Sequence, residues 1–217
     1  MNVEQARFNM IEQQIRPWEV LDPGVLSLLA VVKREDFVPA AYKAMAFVDT
    51  QVPLPGGQCM LEPKVEARLL QELAVHKHEN VLEIGAGSGF MAALLGHKAQ
   101  QVITLEINPE LAEIARTNLQ RAGVMNVTVR HADGSRGLPD EAPFDVIVLS
   151  GSVAEVPPGL LAQLKVGGRL AAVVGQQPIM RAMLFTRGSE HDFASVQLFD
   201  TVAPRLSGFN EPTRFEF

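Results

Sequence analysis

The segment VLEIGAGSGF, residues 81–90, restricts the fold more than any other stretch of the chain. A short apolar run passes through glycines at 85, 87 and 89 directly into FMAALLGH, a helical pattern, so a strand meets a helix across a turn that needs backbone without Cβ atoms. Similar units follow in order: QVITLE, a helix from Asn108 to Ala122, NVTVRH, FDVIVLS, a short helix and GGRLAAVV. Strands this uniformly apolar, alternating with helices, imply a parallel sheet covered on both faces. The Asn108–Ala122 helix carries its own punctuation: Asn108 as N-cap, Pro109 in the first turn, Leu111, Ile114, Ala115 and Leu119 on one face, Gly123 beyond the end. IMRAMLFTR and ASVQLFDTVA, separated by GSEHDF, read as an antiparallel pair closing the sheet. The expected fold is α/β, with about seven strands, mostly parallel with an antiparallel end.

Before the sheet, Phe8, Ile11 and Ile15 sit at helical spacing, and DPGVLSLLAVVKRE forms a second helix opened by Asp22 and Pro23. These make an N-terminal helical cap. An irregular, Pro- and Gly-punctuated crossing then runs to a helix carrying Val65, Leu69 and Leu73. At 217 residues the chain suits one domain, residues 1–217, divided into a cap and substrate loop (1–60) and a core (61–217). No apolar run reaches the roughly 18–20 residues of a membrane span, so no membrane partner is expected. The N-terminus lacks an export signal's apolar core, and the single Cys59 suits a reducing compartment; the expected location is cytoplasmic. A net charge of -6 without a basic tract argues against nucleic acid. The five histidines show no paired-ligand spacing, so no metal site is expected.

The glycine turn has a companion. Glu106 ends the next strand about 20 residues downstream, where a carboxylate can accept hydrogen bonds from both ribose hydroxyls. Together they indicate an adenosine-type ligand across the strand ends. Glu83, two residues before the first glycine, departs from the spacing of pyrophosphate binders, and Asp133, in HADG after the third strand, can accept the exocyclic amine of adenine. The pattern resembles the Rossmann-like class I methyltransferases. That resemblance implies S-adenosyl-L-methionine as cofactor, with Glu83, Gly85, Ala86, Gly87, Ser88 and Gly89 at the methionyl end, Glu106 and Ile107 at the ribose, Asp133 and Gly134 at the adenine, and Ser150 nearby. The plainer alternative is a strand-to-helix turn with solvated acids. A NAD-dependent dehydrogenase is disfavoured by the Glu83 spacing and by the lack of a second catalytic domain.

The likeness extends further. REDFVP, PLPGGQ, VLEIGAGSGF, the block APFDVIVLSGSVAEVPPGLLAQLKVGGRL and VVG occur in the order and spacing of the protein-L-isoaspartate O-methyltransferases, from about residue 20 to about residue 205. The resemblance implies methyl transfer from S-adenosylmethionine to the side-chain carboxylate of isoaspartyl residues in damaged proteins or peptides. The family's loop reads Gly-Gln-Thr-Ile-Ser-x-Pro; here it is Gly57-Gln58-Cys59-Met60-Leu61-Glu62-Pro63, with Leu61 at the serine position. Leucine can neither donate nor accept, and losing one hydrogen bond to a charged group costs about 1.5–3 kcal/mol. Ser150 and Ser152, at the fourth strand's end, are the candidates to supply the missing hydroxyl. Cys59 reads as a small hydrophobe, Trp18 as packing the cap onto the sheet, and Asp49 as fixing the loop. Tyr42 should border the substrate cleft. Alternatives are a divergent enzyme with another carboxylate acceptor, or a non-catalytic protein binding S-adenosylmethionine or isoaspartyl peptides. A monomer or homodimer is expected.

Overall fold

The structure, a computed structural model, describes residues 2–211; residue 1 and residues 212–217, the ends of the range expected for one domain, lie outside them. The first helix, α1 (Val3–Met10), is capped by Asn2, whose side chain accepts from Gln5 N, and continues as a wider π turn over Ile11–Ile15. Its buried edge is Arg7, Met10, Ile11 and Ile15, whereas Phe8, expected on that face, is 57% exposed. Arg7 pairs with Glu35 and with Glu4, and these contacts roll the helix onto the edge next to Phe8. In α2 (Pro23–Val31) the Asp22 carboxylate accepts from Val25 N at 2.8 Å, as the sequence requires of an N-cap.

The crossing that follows is less irregular than its composition suggests. Short 3-10 turns lead into a small antiparallel hairpin of β1 (Val52–Pro53) and β2 (Cys59–Met60). Next, α3 (Pro63–Leu73) buries Val65, Leu69 and Leu73, together with Glu66 and Leu70. Each buried leucine there contributes about 1.5–3 kcal/mol relative to exposure, which ties the helix to the sheet.

The sheet contains β3 (Asn80–Ile84), β4 (Gln101–Glu106), β5 (Val127–His131), β6 (Phe144–Val153), β7 (Leu164–Gln176), β8 (Ile179–Arg187) and β9 (Phe193–Asp200). The strand order is β5-β4-β3-β6-β7-β8-β9, parallel through β7 and antiparallel over the last two. Helices α4 (Phe90–Lys98), α5 (Pro109–Arg121) and α6 (Pro158–Leu161) form the crossovers. The Asn108 side chain caps α5, accepting from Glu110 N at 2.9 Å and Leu111 N at 3.4 Å.

Two apolar clusters fill the faces. One joins cap residues Ile15, Leu29 and Phe37 to Leu70, Leu94 and Val102; the other gathers Leu82, Ile84, Ile147 and Leu170. Trp18 meets Phe199 of β9 edge to face at 5.4 Å, with the Lys64 ammonium 4.3 Å from its ring centre, so it does pack the cap onto the sheet. Because β4 and β5 lie on one side of β3 while β6 lies on the other, the order reverses at β3 and a crevice forms at the strands' carboxyl ends.

Candidate active site

That crevice is a cleft of about 380 Å³ lined by Gly85 and Gly87 after β3, Glu106 and Ile107 after β4, Gly134 after β5 and Ser150 on β6. Glu106 is fixed by the backbone: Oε2 accepts from Gly87 N at 2.9 Å and Oε1 from Asn108 N at 3.0 Å. Each oxygen keeps a lone pair for a further donor, such as a ribose hydroxyl. Gly85, at φ +95°, leaves space that a Cβ would lose, since such an atom would stand 2.8 Å from Leu206 Cδ2. The hairpin contributes Gly56, Gln58 and Cys59 to the opposite wall, with Asp49 bridged to Lys64 at 2.6 Å beneath it.

Beneath the glycine turn lies a second space of about 30 Å³, lined by Leu61, Glu66, Glu83, Ala86 and Ser88 among others, and sharing Cys59, Gly85, Gly87 and Ser150 with the cleft. The Ser150 hydroxyl donates to Glu83 Oε1 at 2.7 Å. The Thr104 hydroxyl stands against the Glu83 carboxyl, and neither it nor Glu83 Oε2 has any other hydrogen-bond partner among the described residues. Burial pushes the Glu83 carboxyl up to about 7, against hydrogen bonds from the Thr104 and Ser150 hydroxyls and with the Glu66 and Glu106 carboxylates adding to the rise. Glu66, paired with the buried Arg34, is also pushed up to about 7 by burial, against the pull of that guanidinium. Arg34 donates a second bond, 2.7 Å, to the Leu61 carbonyl. The Cys59 thiol, which donates to Gln51 Oε1, is pushed up to about 11 by burial and by Glu62 and Glu66, so it stays protonated at neutral pH and is no nucleophile.

Several expected site residues stand elsewhere. Ser152 is fully buried outside both spaces: its hydroxyl donates to Ala203 O at 2.8 Å, while its backbone binds Pro204 and Leu206. Its role is to pin the chain after β9 across the end of β6: the two serines would share a face of a regular strand, but the pairing of β6 with β7 is irregular between Val148 and Ser152, and only Ser150 lines the cleft. Gly89 lines neither space; it is the left-handed N-cap of α4, seated against Ala115. Asp133 is exposed at the rim, accepting from Ser135 N at 2.9 Å, and Ala132 and Gly134 bound the cleft there instead. Tyr42 is exposed and lines neither space.

Sequence reasoning missed the Arg34–Glu66 pair and the strap of Pro204, Leu206 and Ser207 along the cleft. Glu66 did leave a signal. It lies three, four and seven residues before Leu69, Leu70 and Leu73, an acid on the buried face of α3. Among the described residues no group of three or more His, Cys, Asp or Glu side chains could hold a metal ion.

A sheet of this order, with a glycine turn after its first central strand and an acid ending the next, defines a Rossmann-like class I methyltransferase dependent on S-adenosylmethionine. Residues 5–201 match the protein-L-isoaspartate(D-aspartate) O-methyltransferase profile, and the chain belongs to that family. It is 42% identical over 181 residues to the protein-L-isoaspartate O-methyltransferase of Koribacter versatilis, covering 83% of this chain and 81% of that one. The protein of the same name from Rhodopseudomonas palustris is 41% identical over 192 residues, covering 88% of both. A solved protein-L-isoaspartate O-methyltransferase superposes with TM-score 0.77 at 26% identity over 93% of this chain and 66% of that one. A Plasmodium falciparum structure, described as a putative member in complex with S-adenosyl-L-homocysteine, shares the fold with TM-score 0.79 at 20% identity, over 95% of this chain and 99% of its own.

Proposed function

We propose that this chain methylates the side-chain carboxylate of isoaspartyl residues in proteins or peptides, working as one domain in the cytoplasm. The observation that carries the reading is the juxtaposition of the Glu106-anchored cleft with the hairpin loop of Gly56, Gln58 and Cys59 on one mouth. The cleft fits an adenosyl group: its volume lies in the usual range for such ligands, and a Cβ at position 85 would intrude on it. When bound, S-adenosylmethionine supplies a methyl group on a sulfonium, which passes to a carboxylate oxygen while the bonding electrons remain on sulfur.

The protein's task is placement. Glu106 holds the ribose, with Ile107 beside it; Gly85, Ala86, Gly87 and Ser88 offer backbone to the methionyl end; Gly134 closes the adenine side, with Asp133 at the rim. The acceptor carboxylate is already ionised at neutral pH, so no general base is needed, and orientation can provide most of the acceleration. Ser150 lines both spaces and is the candidate to replace the serine that Leu61 displaces, with its hydroxyl donating to Glu83.

A second reading, a different carboxylate acceptor, is favoured by Leu61 itself, which is 4% exposed and apolar where the family loop has a hydroxyl. The deciding experiment is transfer of radiolabelled methyl to an isoaspartyl peptide and to its aspartyl twin, with wild type and Leu61→Ser. Transfer to the isoaspartyl peptide alone by wild type is expected. Cofactor binding without transfer, rescued by Leu61→Ser, would mean that the fold is intact and that this lineage has changed acceptor or given up catalysis. Since Leu61 is buried, the variant also loses stability, by about 2–5 kcal/mol, and its cofactor binding serves as the folding control.

A further inference from the structure

The cofactor occupies only part of the sheet's carboxyl edge. Gly134 after β5 bounds the adenine side, Glu106 of β4 the ribose, and the glycine turn after β3, with Ser150 of β6, the methionyl end. In the strand order, β7 and β8 come next beyond that end. A groove of about 540 Å³ lies there, between the tip of the β7–β8 hairpin and the strap that follows β9. Met180, Ala203 and Pro204 give it an apolar lining, and Pro204 also lines the cleft, so the two spaces adjoin. Its walls are held in place: Pro204 O accepts from Ser152 N at 2.7 Å, and Leu206 N donates to Ser152 O at 2.9 Å. Arg205 donates to Gly175 O at 3.0 Å and pairs with Glu211 at 2.7 Å, so the cation beside the groove is already satisfied. Gln176 and Gln177 also line the groove and are exposed, and among the described residues no hydrogen bond holds either side-chain amide. A primary amide both donates and accepts, which matches the C=O and N–H groups of an extended main chain whatever its side chains.

The cleft itself gives an acceptor carboxylate little to hold. Leu61 stands at the family's serine position, and no Lys, Arg or His is among the residues lining the cleft or the recess beneath its glycine turn. A cation there would stabilise the carboxylate more before transfer, when its charge is whole, than in the transition state, where that charge is being neutralised. Orientation can come instead from contacts to parts of the acceptor remote from the reacting atoms. We propose that the groove holds the extended main chain flanking the isoaspartyl residue, with Gln176 and Gln177 as its hydrogen-bonding contacts, and that this flank sets acceptor affinity. The inference rests on the isoaspartyl reading above. Recognition is then indifferent to flanking sequence and sensitive to flanking length, which suits acceptors that arise by damage at many sites.

Methyl transfer to two end-blocked peptides tests this: an isoaspartyl tripeptide, with about 3.5 Å of chain on each side, and a heptapeptide with the same centre and alanine flanks of about 10 Å each. Wild type should show kcat/KM about tenfold or more higher on the heptapeptide, mostly through KM, the scale of two hydrogen bonds. In the double variant Gln176→Ala, Gln177→Ala that advantage should shrink to about threefold or less, while S-adenosylhomocysteine affinity by calorimetry and the melting curve stay as in wild type. Equal kcat/KM for the two peptides in wild type overturns the proposal and leaves the groove to another occupant, a second copy of the chain among them. A variant that keeps the full length advantage, or that loses alike on both peptides, overturns it as well. Should the variant not fold, the wild-type pair of peptides decides. Failure to methylate either peptide sinks the isoaspartyl reading and this inference together; transfer without length dependence sinks only the inference.

Discussion

The cleft and the recess beneath it are built on opposite principles, although they share four residues. In the cleft, the acid that matters, Glu106, has both oxygens held by backbone N–H groups, so its position follows from the main chain. In the recess, the acids lie on different elements and answer to side chains: Glu66 to Arg34 of the cap, Glu83 to Ser150 of β6. A site held by backbone can bind its ligand with little rearrangement, because the donors are fixed when the strands pair. A site made of buried side-chain charge is poised differently: it is less stable when empty and gains most from a ligand of opposite sign.

The contrast can be broken most forcefully at Arg34. Replacing it with methionine should lower unfolding free energy by about 3–5 kcal/mol in denaturant titrations, because Glu66 would remain buried without its counter-charge. Adding Glu66→Leu should recover most of the loss; no recovery would mean that the guanidinium's bond to the Leu61 carbonyl, rather than the ion pair, is what holds the cap. In the cleft, Glu106→Ala should leave stability closer to wild type but weaken S-adenosylhomocysteine binding about 10- to 100-fold by calorimetry. Unchanged affinity would show that the ribose lies elsewhere.

A further effect lies in pH. With Glu83 and Glu66 raised to about 7 in the folded chain, each holds a proton there that the unfolded chain, at about 4.5, has released. Their contribution to stability is therefore fully present below the unfolded value and is lost as pH rises through about 7. Melting curves of the ligand-free protein between pH 5 and pH 8 should fall in that direction, and Glu83→Gln should leave only the share of Glu66. A flat profile would mean that both acids are already ionised and that the recess holds its charge permanently.

Much of this was legible beforehand. The strand-to-helix turn at 85–89, the acid at 106, the capped α5 and the antiparallel ending are local patterns, and local chemistry enforces them. The serines at 150 and 152 looked equivalent in sequence, yet one turns to the cleft and the other ties down the chain after β9. A regular pleat would put both on one face; the irregular pairing of β6 with β7 between Val148 and Ser152, and the strap passing over the strand's end, separate them. Asp133 shows the same limit: its position in sequence suits adenine, while its carboxylate turns to Ser135 at the rim. Phe8 fits a helical stripe and is exposed because Arg7, one residue away, finds Glu35.

By itself, then, the sequence determined the parallel sheet, its glycine turn and the acid that ends the next strand, since hydrophobic period, glycine placement and caps act within a few residues. Only the tertiary structure decided that Arg34, Leu61, Glu66, Glu83 and Ser150 converge on one recess. Those residues are separated by up to 116 positions (150 − 34), and no short-range pattern records the packing that desolvates two of their carboxyl groups together.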